Sequence, residues 1–212
     1  MKGVSMTLPR ASLALILSVI CPPAPGQEPQ QQSGFHEHDG FFLSLSTGVV
    51  YAAIDDNLGS VQWDARGWGA GFDVRVGGTI APQLILSGDF VTTMWGLSSP
   101  LPVESQFYGG TLSQSTWGMG LTYYFMPANF FFSGTIGLAS LASVKLGDTS
   151  DGPSATGLAV IIRAGKEWWV DADWALGIEI SFGWSSVKEP AELYTEQLTG
   201  YSIGLQFNAT YN

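Results

Sequence analysis

Basic side chains are scarce in this sequence. Eight Lys and Arg stand against eighteen Asp and Glu, for a formal net charge of -10. Nucleic acid is thereby excluded as a partner, because binding it depends on clustered cations. Cysteine is nearly absent: Cys21 is the only one, and it lies in an apolar N-terminal stretch. The rest of the chain can form neither a disulfide framework nor a thiolate metal site. The only histidines, His36 and His38, precede the first strand-like segment. No apolar run reaches the roughly 18 residues of a membrane helix, and from Phe41 onward no stretch repeats at helical spacing.

The chain begins with the features of a secretory signal. Lys2 and Arg10 make a basic start, Ala11 to Ile20 is a short apolar core, and Ala24-Pro25-Gly26 supplies the small residues that a signal peptidase needs. Residues 1–26 therefore read as a signal peptide, with cleavage near Gly26. Lipidation is disfavoured because Ile20, not a small residue, precedes Cys21. Cleavage removes two basic residues and no acidic one, so the mature chain is more acidic still. About 185 residues remain, enough for one domain. Residues 27–40, polar and of low complexity, read as a periplasmic leader.

What is present is alternation. In Tyr201 to Asn212, Tyr201, Ile203, Leu205, Phe207, Ala209 and Tyr211 share one side, and only glycine, hydroxyl and amide groups share the other. A period of two is that of an extended strand, and about ten such residues cross a bilayer at a tilt. Apolar groups outward and polar groups inward describe a strand with lipid outside and a polar lumen. The same pattern recurs at about Phe41 to Ile54, Arg66 to Ile80, Gln83 to Trp95, Ser115 to Phe125, Asn129 to Lys145, Ala155 to Trp169 and Trp174 to Val187. Eight strands are predicted.

Connection lengths alternate as well. Short ones fall at Thr79 to Pro82, Met126 to Asn129 and Val170 to Asp173; long ones fall at Asp55 to Asp64, Gly96 to Gln114, Gly147 to Ser154 and Lys188 to Thr199. Tight turns on one side and long loops on the other are the asymmetry of outer-membrane barrels. Aromatic residues gather near both ends of the strands. Phe41, Tyr123, Phe125, Phe130, Trp168, Trp174 and Tyr211 lie near the short turns, and Tyr51, Trp68, Trp117, Trp184 and Tyr201 near the long loops. Rings with a polar edge prefer headgroup depth, so two girdles are expected.

The segments GFFLSLSTGVVYA from Gly40, LTYYFMPANFFFSGTIGLA from Leu121 and GKEWWVDADWALGIEIS from Gly165, with the aromatic-ended last strand, resemble the small outer-membrane β-barrel proteins of Gram-negative bacteria, the OmpA/OmpX/OmpW-like group. The resemblance spans Gly40 to Asn212 and is architectural. It implies an eight-stranded antiparallel up-and-down transmembrane barrel as the domain 41–212, a monomer in contact with outer-membrane lipid and lipopolysaccharide, inserted by the barrel-assembly machinery. One departure is that Asn212 follows Tyr211, where such chains often end on the aromatic residue itself.

Charges on the inward face are Asp73, Arg75, Asp89, Arg163, Glu167 and Glu179. Eight strands leave a bore that side chains fill, so each buried charge needs a partner. Pairing across the short turns puts Asp73 opposite Asp89, with Arg75 diagonal to both, and Arg163 opposite Glu179. Two readings stay open: a salt-bridged plug, or a narrow path for ions or solutes. In His36-Glu37-His38-Asp39 the spacing is a weak metal signal without further ligands, and a solvated leader is the default. Barrel deacylases resemble serine hydrolases in using a histidine base, and no predicted strand carries one.

Gly67 to Gly71 lies within a strand and opens no helix, so it is no phosphate loop. Inward glycines are expected to make room for Tyr124, Phe131 and Trp169. Asn208-Ala209-Thr210 matches a glycosylation acceptor but lies within a strand. The long loops carry Asp55, Asp56, Asp64, Glu104, Asp148, Asp151, Glu189, Glu192 and Glu196, either as a solvated surface or as a site for divalent cations shared with lipopolysaccharide phosphates or for a basic partner outside the cell. The expected function is structural or surface-interactive, without enzyme activity, cofactor or metal. Passive passage of small or hydrophobic molecules through an OmpW-like barrel is the alternative.

Overall fold

The computed structural model describes His38 and residues 40–56, 64–96, 111–144, 154–190 and 195–212. The expected signal peptide, His36 and the loop acids Glu104, Asp148, Asp151 and Glu192 lie outside the described residues.

Eight strands form, as the alternation predicts: β1 (Phe41–Asp56), β2 (Asp64–Ala81), β3 (Leu84–Gly96), β4 (Thr111–Phe125), β5 (Phe130–Val144), β6 (Ser154–Trp169), β7 (Trp174–Pro190) and β8 (Thr195–Tyr211). Each pairs antiparallel with the next, and β8 pairs with β1 to close the barrel. Closure along Leu43↔Tyr211 to Asp56↔Leu198 leaves no unpaired edge. Short turns suit their positions. Asn129 sits at φ 54, a left-handed conformation that asparagine tolerates better than most side chains.

The outward face is apolar over the middle of every strand. Phe207 is 73% exposed, Leu138 66%, Ile136 63% and Met119 62%. A belt of this extent cannot stand in water and requires the hydrocarbon of a bilayer. The residues expected in the girdles all point outward with it. Tyr51 packs edge-on against Trp68 at 5.3 Å, and Trp174 against Tyr211 at 5.4 Å. Phenylalanines such as Phe207 occupy intermediate depth too, where a ring without a polar edge is at home.

Two sequence expectations are corrected. First, strands run further on the long-loop side than the apolar alternation extends: β4 starts at Thr111 rather than Ser115, and β8 at Thr195 rather than Tyr201. There the polarity of the faces inverts. Ile54, Leu112, Val187 and Leu198 are buried within, while Lys188 and Gln197 are exposed outside. With water outside, the ordinary drive to bury apolar surface returns, and polar outer positions hide the strand from a search for lipid-facing residues. These side chains join Ala52, Ala65, Trp95, Ala139, Leu141, Ala155 and Ala159 in one apolar cluster.

Second, the register across two short turns differs from that expected. Arg75, not Asp73, lies opposite Asp89, and Asp73 faces Val91. Arg163 lies opposite Ser181, and Gly165 faces Glu179. The β2–β3 connection carries a bulge between Thr79 and Ala81. In the β6–β7 connection Val170 N–H and Asp171 N–H both donate to Trp174 O, at 2.9 and 3.2 Å. Each turn is thus centred one residue later than the expected pairing requires, moving every partner by two residues. A shift of two preserves the face, so the charges remain inside.

The inversion yields a prediction. Phe207→Arg costs about 2–4 kcal/mol of folding stability in vesicles, as for a cation near mid-bilayer. Gln197→Arg, outward on the same strand but beyond the belt, stays within about 0.5 kcal/mol. Equal costs in urea titrations of the two folded variants would remove the assigned boundary.

Candidate functional site: the barrel interior

Alternation delivers the inward residues of every strand to one lumen, and their chemistry changes along it. Midway lies a charged layer. Arg75 of β2 reaches Glu179 Oε2 of β7 at 2.8 Å and donates to Ser44 Oγ and Ser46 Oγ of β1 at 3.0 and 3.2 Å. Arg163 of β6 donates through Nε to Asp73 Oδ2 of β2 at 3.0 Å and through Nη1 to Thr135 Oγ1 at 2.9 Å. Asp89 Oδ2 and Glu179 Oε1 stand 3.7 and 4.0 Å from the same guanidinium. Asp89 also accepts from Ser87 Oγ at 2.6 Å and from Thr135.

All these charged groups are buried: Arg75 is 0% exposed, Arg163 1% and Asp73 2%. The ties cross the lumen, joining β2 to β7 and β6 to β2 and β3. Glycines make the layer possible. A Cβ on Gly120 would stand 2.9 Å from Asp89 Cγ, and one on Gly165 would stand 2.6 Å from Phe131 Cε1.

Glu167 belongs to a second group nearer the short turns. Its carboxylate accepts from Thr210 Oγ1 at 2.7 Å, from Tyr124 OH at 3.3 Å and from Asn208. Tyr124, Phe42, Ile85 and Phe131 pack together beside it. His38 closes this end, contrary to the solvated leader expected for it. Only 2% exposed, it stacks on Tyr124 with ring centroids 3.5 Å apart, and its Nε2 lies 2.8 Å from Asn129 Oδ1. Thr79 of β2 holds the preceding backbone by donating to His38 O at 3.1 Å and to Gly40 O at 2.9 Å. The aromatic end of the lumen gives the imidazole a stacking surface that water does not offer. No sequence signal distinguishes His38 from its polar surroundings.

At the opposite end the apolar cluster fills the lumen. Between it and the charged layer, two gaps of about 10 and 20 Å³ are lined by residues including Thr93, Gln114, Gly183 and Ser202. Each has room for about one water. Every expected lumenal charge therefore lies inside, sorted into a cross-linked group of five and Glu167 apart; Arg163 and Glu179 still meet at 4.0 Å as expected, but the closest carboxylate to Arg163 is that of Asp73, and Glu179 pairs most closely with Arg75.

No protein-family model matches this chain, and no characterised protein matches it in sequence. Solved structures do match in shape. Neisserial surface protein A aligns over 81% of this chain and 96% of its own, at 16% identity and a TM-score of 0.50. Ail of Yersinia pestis, solved with the heparin analogue sucrose octasulfate, aligns over 80% and 99% at 12% identity and a TM-score of 0.44. The outer membrane protease OmpT of Escherichia coli aligns over 82% and 96% at 10% identity and a TM-score of 0.41. The fold is that of small outer-membrane β-barrels, as the alternation and the resemblance lead one to expect. At such identities the likeness concerns fold alone.

Breaking one side of a buried ion pair leaves an uncompensated charge, whereas replacing both sides with apolar groups is often neutral. Arg75→Met alone should cost about 3–5 kcal/mol, and Arg75→Met with Glu179→Leu should recover most of it. A double variant as unstable as the single one, by urea midpoint in vesicles, would show that the pair is not the cause.

Proposed function

We propose that this protein is a non-enzymatic barrel of the bacterial outer membrane whose filled interior makes it a rigid, non-conducting frame for its long-side connections. Its role is then structural, or that of a surface presented to other molecules. The observation that carries this reading is the series of closures along the lumen: His38 at one end, the guanidinium–carboxylate layer midway and the apolar cluster at the other end. Among the described residues the gaps between them are water-sized.

The apolar belt supports the membrane location, and the polarity inversion supports strands that continue beyond it into water. A hydrolytic role lacks support in the interior geometry. His38, the one described histidine, has an amide as its polar partner at Nε2 and no partner at Nδ1, so no hydroxyl nucleophile is paired with a base there. The reading of an OmpW-like passive channel would require the charged layer or the apolar cluster to move aside.

In planar bilayers the folded protein should show no discrete current steps, and His38→Ala should show none either, because two further closures lie in series behind it. Reproducible unitary steps from wild-type protein, verified as folded by its heat-dependent gel migration, would favour the channel instead.

A further inference from the structure

Lys166 is the one charged side chain on the outward face of the turn-side half of the described strands. It follows Ala164 on β6, and these two residues form the end and the floor of a groove of about 550 Å³ on the outside of the barrel. That volume lies in the range of clefts that hold small molecules. Register explains the shape. Ala164 is paired with Phe132 on β5 and with Ile180 on β7, while Lys166 is paired with Phe130 and Ile178. A methyl group between two large side chains leaves a depression over β6. Beyond Phe132 the β5 wall drops away at Gly134, where an added Cβ would meet nothing within 4 Å.

The ammonium of Lys166 lies at the turn end of the groove. Its Nζ lies 4.6 Å from the Phe130 ring and 5.5 Å from the Trp168 ring, and it donates to Ala128 O in the short turn. An ammonium has three donors, so this contact leaves capacity for an anion. A lysine deep in hydrocarbon costs about 2–4 kcal/mol, falling to near zero at the interface. Beside Trp168 and the turn, Lys166 is therefore at headgroup depth, with its aliphatic stem along the apolar wall.

We propose that this groove is a binding site for one anionic glycerophospholipid of the leaflet on the short-turn side. Its phosphate would meet Lys166, and an acyl chain would lie in the depression over Ala164. The site rests on the membrane reading above. Charge complementarity and depth select a lipid over other occupants: the groove is apolar along its length and cationic only at the end nearest the headgroups.

The test is native mass spectrometry of the full folded chain released from detergent, titrated with phosphatidylglycerol or phosphatidylcholine. Wild type, Lys166→Gln and Ala164→Phe are compared after heat-dependent gel migration shows each to be folded. Wild type should retain one phosphatidylglycerol in preference to phosphatidylcholine. Lys166→Gln should weaken that retention about fivefold, the effect expected of one lysine near an anionic surface, and Ala164→Phe should abolish it for both lipids. Equal retention in all three proteins would overturn the site and leave only nonspecific annular lipid. A dimer that Ala164→Phe dissolves would overturn it in favour of a second copy of this chain. A wild-type chain that shows no heat-dependent migration and does not enter vesicles would sink the membrane reading, and the site with it.

Discussion

Hydrocarbon offers no hydrogen-bond partners, and this condition governs the whole molecule. Every backbone N–H and C=O at bilayer depth must be paired within the wall, and β8 meets that demand by returning to β1 along a continuous ladder. Closure at eight strands then fixes the diameter and leaves an interior that side chains fill. The alternating pleat sends half the side chains of each strand into that interior, whatever they are. Outward positions must be apolar where lipid surrounds them, and inward positions become a separate, crowded compartment with its own chemistry.

Within that compartment, charge and volume are balanced together. Arg163 lies among Asp73, Asp89 and Glu179, while Arg75 crosses to Glu179 and the serines of β1. Such pairs contribute little net stability compared with apolar packing, because each ion gives up its hydration. Their consequence is specificity of arrangement: one guanidinium, that of Arg163, in contact with four other strands fixes how the wall is drawn together. Glycines at Gly120 and Gly165 permit it, since a methyl group at either place would collide with Asp89 or with Phe131. On the outer face, a small residue has the opposite effect. Ala164 opens a groove where a larger side chain would have given a smooth lipid contact.

The long-side extension follows a different rule because its solvent differs. Where water surrounds the strands, Leu112, Val187 and Leu198 turn inward and Lys188 and Gln197 outward. The same chain thus contains a lipid-soluble barrel and, continuous with it, a water-soluble one. His38 has a comparable role at the other end, where its imidazole stacks on Tyr124. Among the described residues the interior therefore holds three buried groups of different chemistry: an aromatic stack, a charged layer and an apolar cluster.

Strand number, the lipid-facing side chains and the side of each tight turn were legible in the sequence, because a period of two is local and survives any small slip of register. Tyr124 and Phe131 could be placed inside by parity alone. Which charges meet could not, since it depends on how much chain the turns at Thr79 to Ala81 and Val170 to Trp174 take up. That quantity is set by turn geometry and not by pattern. The burial of His38 and the depression over Ala164 lie further still from the linear chain. Both arise where residues from separate elements come together, Asn129 of a turn and Tyr124 of β4 for one and Phe132 and Ile180 for the other. A sequence determines the face on which a side chain stands; only the closed barrel decides what stands beside it, because contact across strands depends on register and curvature that no single segment contains.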